Sequence, residues 1–426
     1  MNNLVWFRND LRVDDNVSLK KSCDNNGKTI AVYCLDPRMF EDTKYGFKKT
    51  EKFRTKFLLE TLGELRKNLL LNNISLFIYN DKPENVIPKL VSDFQISTIF
   101  SQKEFTSEEN KVNVAIKNQI LNTTWIETYD QFLFHPDDIP YRDFKTIPKV
   151  FTEFRKQCEK SAKVRQCVSI KPKHADNLVQ NDTLVPEIKS LGFEDFVQHK
   201  NSAFPFKGGE NQALKRIENY FFDTENIAVY KQTRNGLIGE SYSSKFSPWL
   251  ANGSVSARTI FWQLQEFEQQ ITKNEDTYWM VFELIWRDYF KYIALKHGND
   301  IFKIDGILNN EYQWKNSEKA FREWTNGNTR EPFVNANMRE LQQTGFMSNR
   351  GRQNVASFWA KEWEQDWRVA AAYFESMLID YDVHSNWGNW IYNAGVGNDP
   401  RDRKFNIKRQ AEMYDSQGKY VDLWLQ

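Results

Sequence analysis

Four short apolar runs, each closed by charge or proline or followed by helical spacing, leave the first hundred residues little choice of fold. Asn3 to Phe7 ends on the charged RNDLR, Thr29 to Leu35 ends on Asp36-Pro37, and further runs stand at 74–79 (ISLFIY) and 97–100. Runs this short and uniformly apolar suit strands covered on both faces. Between them Phe53, Phe57, Leu58, Leu62 and Leu65 recur at helical spacing over 53–68, and a helix is expected from Pro83. Strand and helix alternating at this pitch predict an α/β domain with a doubly wound parallel sheet over residues 1–130. It carries no GxGxxG and no P-loop pattern, so neither nucleotide fingerprint is present.

Beyond residue 130 the pattern changes. Residues 131–205 are rich in Pro, Lys and Asp (HPDDIP, KPKHADNLVQND). One amphipathic helix fits 147–160, and the rest is expected to be a surface connector without chemistry of its own. Helical spacing dominates 206–426, which predicts a second, all-helical domain; 426 residues exceed what one ordinary core organises. The 58 basic and 57 acidic residues nearly cancel, so any nucleic-acid contact has to come from a local patch. Four cysteines without a CxxC pair and five dispersed histidines argue against a metal site and against a disulfide framework. Reduced thiols in a cytoplasmic setting are expected. The opening MNNLVWFRND reaches Arg8 without a long apolar run, so neither a secretory signal nor a membrane span is expected.

The densest chemistry lies in LIDYDVHSNWGNW (378–390), where Asp380, Asp382, His384 and Asn386 sit among Leu378, Ile379, Trp387 and Trp390. Polar groups among large apolar ones are costly to bury without partners. From the residues alone, a loop whose Asp and Asn side chains make turns is an equal reading. Ser243, Ser244 and Ser247 precede a helix expected to start at Pro248. Hydroxyls and free N–H groups at a helix start suit an anion, although a plain N-cap accounts for one serine. The helix at 277–293 carries Trp279, Phe282, Glu283, Trp286, Arg287 and Phe290 on one face. Such a stripe is ordinarily core, but a carboxylate in its middle needs a partner. SNRGR (348–352) gathers Asn349, Arg350 and Arg352 around a glycine, as a phosphate-contacting turn or an exposed basic loop would.

WFRNDLRVDDN (6–16) and LIDYDVHSNWGNW together resemble the photolyase/cryptochrome family, and AGVGNDPRDRKFNI (394–407) resembles its DASH branch. The resemblance covers nearly the whole chain and is most specific over 207–424. It implies an antenna-binding first domain and a helical FAD-binding catalytic domain. Tyr230 and the run Ser243, Ser244, Lys245, Phe246 and Ser247 would then hold the flavin diphosphate. Asn349 and Arg352 would flank the flavin, and Asp380 and Asp382 would contact its polar edge and ribityl chain. Asn386 would face the reactive ring nitrogen, where an amide accepts a hydrogen bond without supplying an acidic proton. Trp390, Trp367 and Trp314 match the family's electron-transfer chain from the flavin outward. Trp359 and Trp363 fit either core or alternative steps. Glu104, in KEFTSEE, matches the carboxylate that meets a folate antenna (5,10-methenyltetrahydrofolate); a solvated surface glutamate is the plain alternative. Asp14 departs from the family, standing where DASH relatives often have His.

The same resemblance implies a substrate: DNA carrying cyclobutane pyrimidine dimers. Glu283, Trp286, Asn386 and Tyr392 would form the catalytic set, with Arg234, Arg350 and Gln353 also on the DNA side. Gln353 and Tyr392 stand where duplex photolyases have Met and Trp. That implies a weaker grip on a lesion that must be flipped out, and so a preference for single-stranded DNA. The expected protein is a monomeric carbon–carbon lyase driven by blue or near-UV light. A blue-light photoreceptor is the alternative of another class, against which the lack of a long extension after residue 424 counts. A duplex photolyase is a further one. A six-four photoproduct enzyme needs a histidine near the lesion, and neither His384 nor His297 is suitably placed.

Overall fold

The computed structural model describes residues 2–426. The first part of the chain alternates strand and helix: β1 (Asn2–Trp6), α1 (Val17–Asp24), β2 (Thr29–Cys34), α2 (Lys52–Leu71), β3 (Leu76–Tyr79), α3 (Pro83–Asp93), β4 (Ile96–Gln102), α4 (Ser107–Lys117) and β5 (Thr124–Thr128). The strands are all parallel in the order β3-β2-β1-β4-β5. Alternate residues explain the uniformly apolar runs. Val5, Ala31 and Tyr33 pack under Leu19 of α1 and Leu62 and Leu65 of α2, while Leu4, Trp6, Ile30 and Val32 meet Ile87 and Leu90 of α3 and Ile116 of α4. Strand β5 was not expected from the sequence. It lies at the sheet edge, and its TWIET residues are mostly half-buried, so no apolar run marks it. Sheet growth reverses beside β1, which puts a crevice beyond the ends of β1 and β4.

The connector holds α5 (Phe151–Ser161) and then little regular structure before α6 (Glu210–Glu218). The expectation of a surface wrap fails for its first part. Phe132, Leu133 and Phe134 are 1%, 1% and 5% exposed, because the buried Asp288 carboxylate accepts the N–H groups of Leu133 and Phe134 at 3.0 and 2.8 Å. The rest is helical: α7 (Tyr230–Thr233), α8 (Ser247–Asn252), α9 (Ala257–Gln270), α10 (Glu275–His297), α11 (Glu318–Thr325), α12 (Pro332–Thr344), α13 (Asn349–Ser357), α14 (Trp367–Met377), α15 (Val383–Ala394), α16 (Ile407–Tyr414) and α17 (Lys419–Leu425). Among the described residues no helix is long and apolar enough to cross a membrane.

The 6–16 segment, which the resemblance attaches to the antenna domain, forms the seam between the two parts. Leu11 donates to the Asn252 carbonyl, Arg12 Nη1 to the Gly253 carbonyl, and the Val13 and Asp14 N–H groups to Glu210. Arg258 of α9 lies 2.9 Å from both Asp15 and Asp130, all three almost wholly buried. Gly253 has φ +73°, and a Cβ there would overlap the Asn9 carbonyl, so this contact requires glycine.

Candidate active site

A cavity of about 510 Å³ opens among α7, α8, α10, α13 and α15, and a smaller one of about 80 Å³ continues from it toward α14. The two share Asn349, Arg352, Gln353, Asp380 and Asp382. The 243–247 loop lines the larger one, with Tyr230 beside it. Arg216 of α6 organises this loop by donating to the carbonyls of Glu240, Ser243 and Ser244 at 3.0, 3.3 and 3.1 Å. Helix α8 starts at Ser247 behind Phe246 and has no side-chain cap, which removes the plain N-cap explanation of the serines. Lys245 adopts φ +63°, and its buried Nζ sits 3.0 Å from the Tyr242 ring centroid without a hydrogen-bond partner. Burial pushes its pKa well below the usual lysine range.

Helix α15 corrects the reading of 378–390 as a loop. Asp382 caps the helix by accepting the Ser385 N–H at 2.8 Å, so His384, Asn386 and Trp390 follow on helical turns. The other Asp382 oxygen lies 2.7 Å from Lys291 Nζ. Burial alone would raise the Asp382 pKa, but the neighbouring charges, Lys291 foremost, hold it well below the carboxylate range. His384 is the reverse case: burial, reinforced by Lys291, lowers its pKa to about 3, so the ring is neutral. Asp380 pairs with Arg352 at 2.9 Å, and its other oxygen is buried without a partner. Asn386 donates Nδ2 to the Ala371 carbonyl at 3.0 Å, which fixes the amide's orientation at the smaller cavity.

SNRGR is likewise a helix start rather than a free turn. Ser348 caps α13 by accepting the Gly351 N–H, and a Cβ on Gly351 would overlap the Asn337 side chain. Arg350 finds no carboxylate; it donates to Gln353 Oε1 at 2.9 Å and Asn235 Oδ1 at 3.2 Å.

At the mouth, Glu283 and Arg234 form an ion pair at 2.6 Å. Burial raises the Glu283 pKa against the pull of Arg234. Trp286 is half-buried, with Tyr392 edge-on to it at 6.1 Å. One face of its indole is covered by Phe151 of α5, ring centroids 3.6 Å apart and planes at 11°. Tyr392 Oη accepts a hydrogen bond from Arg403 at 2.6 Å. Phe151, Lys291 and Arg403 were all missed from the sequence. Lys291 had a signal, lying two turns beyond Glu283 on the same helix; Phe151 had none, since nothing in the connector points to α10.

Comparison with known proteins now bears on the cavity. Residues 3–175 match the family of DNA photolyase, and residues 279–426 match the FAD binding domain of DNA photolyase. Cryptochrome DASH of Gloeobacter violaceus is 46% identical over 99% of this chain and 85% of its own length. Cryptochrome DASH of Xenopus laevis is 45% identical over 99% and 82%. The crystal structure of Synechocystis cryptochrome superposes with a TM-score of 0.94 at 41% identity, covering all of this chain and 88% of the other. The chain belongs to the photolyase/cryptochrome family, in its DASH branch. Its helical part is an FAD-binding domain. The residues present fit that cofactor, because Lys245 Nζ and Asp380 Oδ1 are buried polar atoms with unmet hydrogen bonds on one continuous cavity.

In this DASH-branch protein the remaining site residues divide. Trp390 is 2% exposed and lines the smaller cavity. Trp367 is fully buried, donates to the Ile304 carbonyl at 3.0 Å and meets Trp387 edge-on at 5.7 Å. Trp314 is half-buried beside Tyr312. Trp367 and Trp314 line neither cavity. Glu104 is not a surface residue: it is 5% exposed, accepts a hydrogen bond from Gln102 at 2.9 Å, and burial raises its pKa to about 7. It follows β4 at the sheet's switch point and lines neither cavity.

Proposed function

We propose that this flavoprotein splits cyclobutane pyrimidine dimers in DNA under blue or near-UV light, preferring single-stranded substrate. The observation that carries the reading is the Glu283–Arg234 pair beside Trp286 and Tyr392, at the mouth of the cavity built for the flavin. Bound FAD would supply light-driven one-electron chemistry to the lesion. Tyr230, Ser243, Ser244, Lys245, Phe246 and Ser247 hold its diphosphate, with Asn349, Arg352, Asp380 and Asp382 along its length. Asn386, fixed by Ala371, presents an amide where an acidic proton would favour a different redox state.

Trp286 and Tyr392 hold the extruded bases; stacking of this kind contributes about 1–3 kcal/mol per base. Glu283, protonated more readily than an ordinary glutamate, donates a hydrogen bond to the base carbonyl on which charge accumulates. Gln353, tied to Arg350, contributes a polar wall in place of a thioether. Flipping a base from a duplex costs a few kcal/mol, and a site with one indole and one phenol recovers less of that than one with two indoles. Trp390, Trp367 and Trp314 relay electrons to the flavin, and Glu104 meets a folate antenna in the crevice beyond β1 and β4. This reading takes the molecule as a monomer with an antenna domain at 1–130, a connector at 131–205 and a catalytic domain at 206–426.

The test is light-dependent repair of a thymine dimer by the reduced protein, in single-stranded and matched duplex oligonucleotides at equal salt. Repair of the single strand alone is expected. Equal repair of both overturns the strand preference. No repair of either, with normal flavin photoreduction, replaces this reading by a photoreceptor.

A further inference from the structure

We infer that a second tryptophan route runs from the flavin cavity to solvent, from Trp390 through Trp324 and Trp359 to Trp363. It rests on the reading of the cavity as a flavin site with Trp390 at its wall. The Trp390 and Trp324 rings meet edge to face with centroids 6.3 Å apart; Trp324 meets Trp359 at 5.1 Å, and Trp359 meets Trp363 at 6.4 Å. Trp324 is fully buried, Trp359 is 2% exposed and Trp363 is half-buried, so the series passes from the cavity to the surface through touching indoles. On the other route, Trp367 meets Trp387 edge-on with centroids 5.7 Å apart. Electron tunnelling falls off exponentially with edge separation, so rings in contact carry charge faster than rings apart.

The indole N–H groups say where the charge stops. Trp324 Nε1 is buried without a partner, and Trp359 Nε1 donates to the Asp366 backbone carbonyl at 3.0 Å, an acceptor too weak to take its proton. A hole on either ring therefore stays a radical cation and moves on. One electron leaves Trp390 for the photo-excited flavin, and Trp324, Trp359 and Trp363 each refill the ring before it. Trp363 then loses its Nε1 proton to water, leaving a neutral indolyl radical that an external thiol reduces by returning one electron and one proton. Trp363 and Trp314 flank the same short backbone bridge, where Lys315 donates to the Glu364 carbonyl and accepts from Asp366, so both routes open side by side.

The experiment uses flavin-loaded full-length protein with the Trp367→Phe substitution, which interrupts the other route. Flash photolysis should still show a long-lived indolyl radical, and adding Trp324→Phe or Trp363→Phe should abolish it. Trp363 is half-buried, so Trp363→Phe keeps the test open if the Trp324 variant fails to fold. Two readouts are independent of turnover. Spin-trap adducts mapped by mass spectrometry should fall on Trp363, and the near-ultraviolet dichroism of flavin-free protein should lose an exciton couplet on Trp324→Phe. Loss of the radical in Trp367→Phe alone overturns the second route, as does its survival in both double variants. Undiminished photoreduction in Trp390→Phe instead removes the relay reading on which the route depends.

Discussion

At Glu283 burial and an arginine act on one carboxyl in opposite directions, and burial prevails. The protonated fraction of such a group persists above the ordinary carboxyl range and falls as pH rises. Repair by pre-reduced protein should therefore decline with rising pH, and Glu283→Gln, which donates a hydrogen bond at every pH, should flatten the profile. Glu283→Ala should lower repair roughly 10²–10³-fold, the usual consequence of removing one donor to developing charge, while FAD stays bound. A flat wild-type profile, or undiminished repair by the alanine variant, removes Glu283 from the chemistry. That a carboxylate here needed a partner was readable from the aromatic stripe around it. That the partner is Arg234, 49 positions earlier, was not, because nothing local joins α7 to α10. Lys245 was named in the sequence, but its conformation was hidden for another reason: a left-handed backbone at a non-glycine residue leaves no trace in residue type.

Helix α15 shows how an element can be concealed by its own cap. Asp380, Asp382 and Asn386 read as turn formers, yet Asp382 spends its side chain starting the helix and neutralising Lys291. Its substitutions should separate the two roles. Asp382→Asn keeps the cap and loses the charge; Asp382→Ala loses both, adding about 1 kcal/mol for the cap to the roughly 3–5 kcal/mol of leaving a buried ammonium unpaired. Urea unfolding of flavin-free protein should rank the alanine variant below the asparagine one, and equal stability would deny the cap. Helix α5 carries the opposite lesson, since its existence was legible and its use was not. Phe151 backs one face of the Trp286 indole, and on the proposed reading a base takes the other. Phe151→Ala should remove about 0.5–1.5 kcal/mol of ring contact, weakening single-stranded lesion binding a few-fold with little change in repair per bound complex. A lower repair rate at unchanged affinity would contradict this.

Over the whole molecule, periodicity revealed the doubly wound sheet and the helical domain because most of their apolar residues face one local neighbour or another. It missed β5, whose edge position demands no apolar run, and the buried start of the connector, whose burial is decided by Asp288 some 155 positions away. The two parts share buried carboxyls with a common signature: burial lifts Glu104, Asp288 and Glu340 to about 7, from usual values of 4.5, 3.8 and 4.5. Between those limits the unfolded chain holds fewer protons than the folded one, so their contribution is full at low pH and is lost as pH rises through about 7. His384 opposes them only below its usual 6.5, where its unfolded form still titrates. Three carboxyls outweigh one histidine, so stability of the flavin-free protein should fall from roughly pH 5 to 7 and level off above that. Glu104→Gln should reduce that slope, and an unaltered slope would show that Glu104 ionises normally in the fold.

The clasp of Arg258 on Asp15 and Asp130 has a consequence for the order in which the protein comes into being. A ribosome delivers both aspartates, and the entire sheet, well before the arginine that neutralises them. Until about 130 more residues have emerged after Asp130, the newborn sheet carries two carboxylates in a site that charge alone makes unfavourable. The first third of the polypeptide is thus made early and settles late, and a nascent chain stalled before α9 would present to the cell's chaperones a domain already patterned but not yet closed.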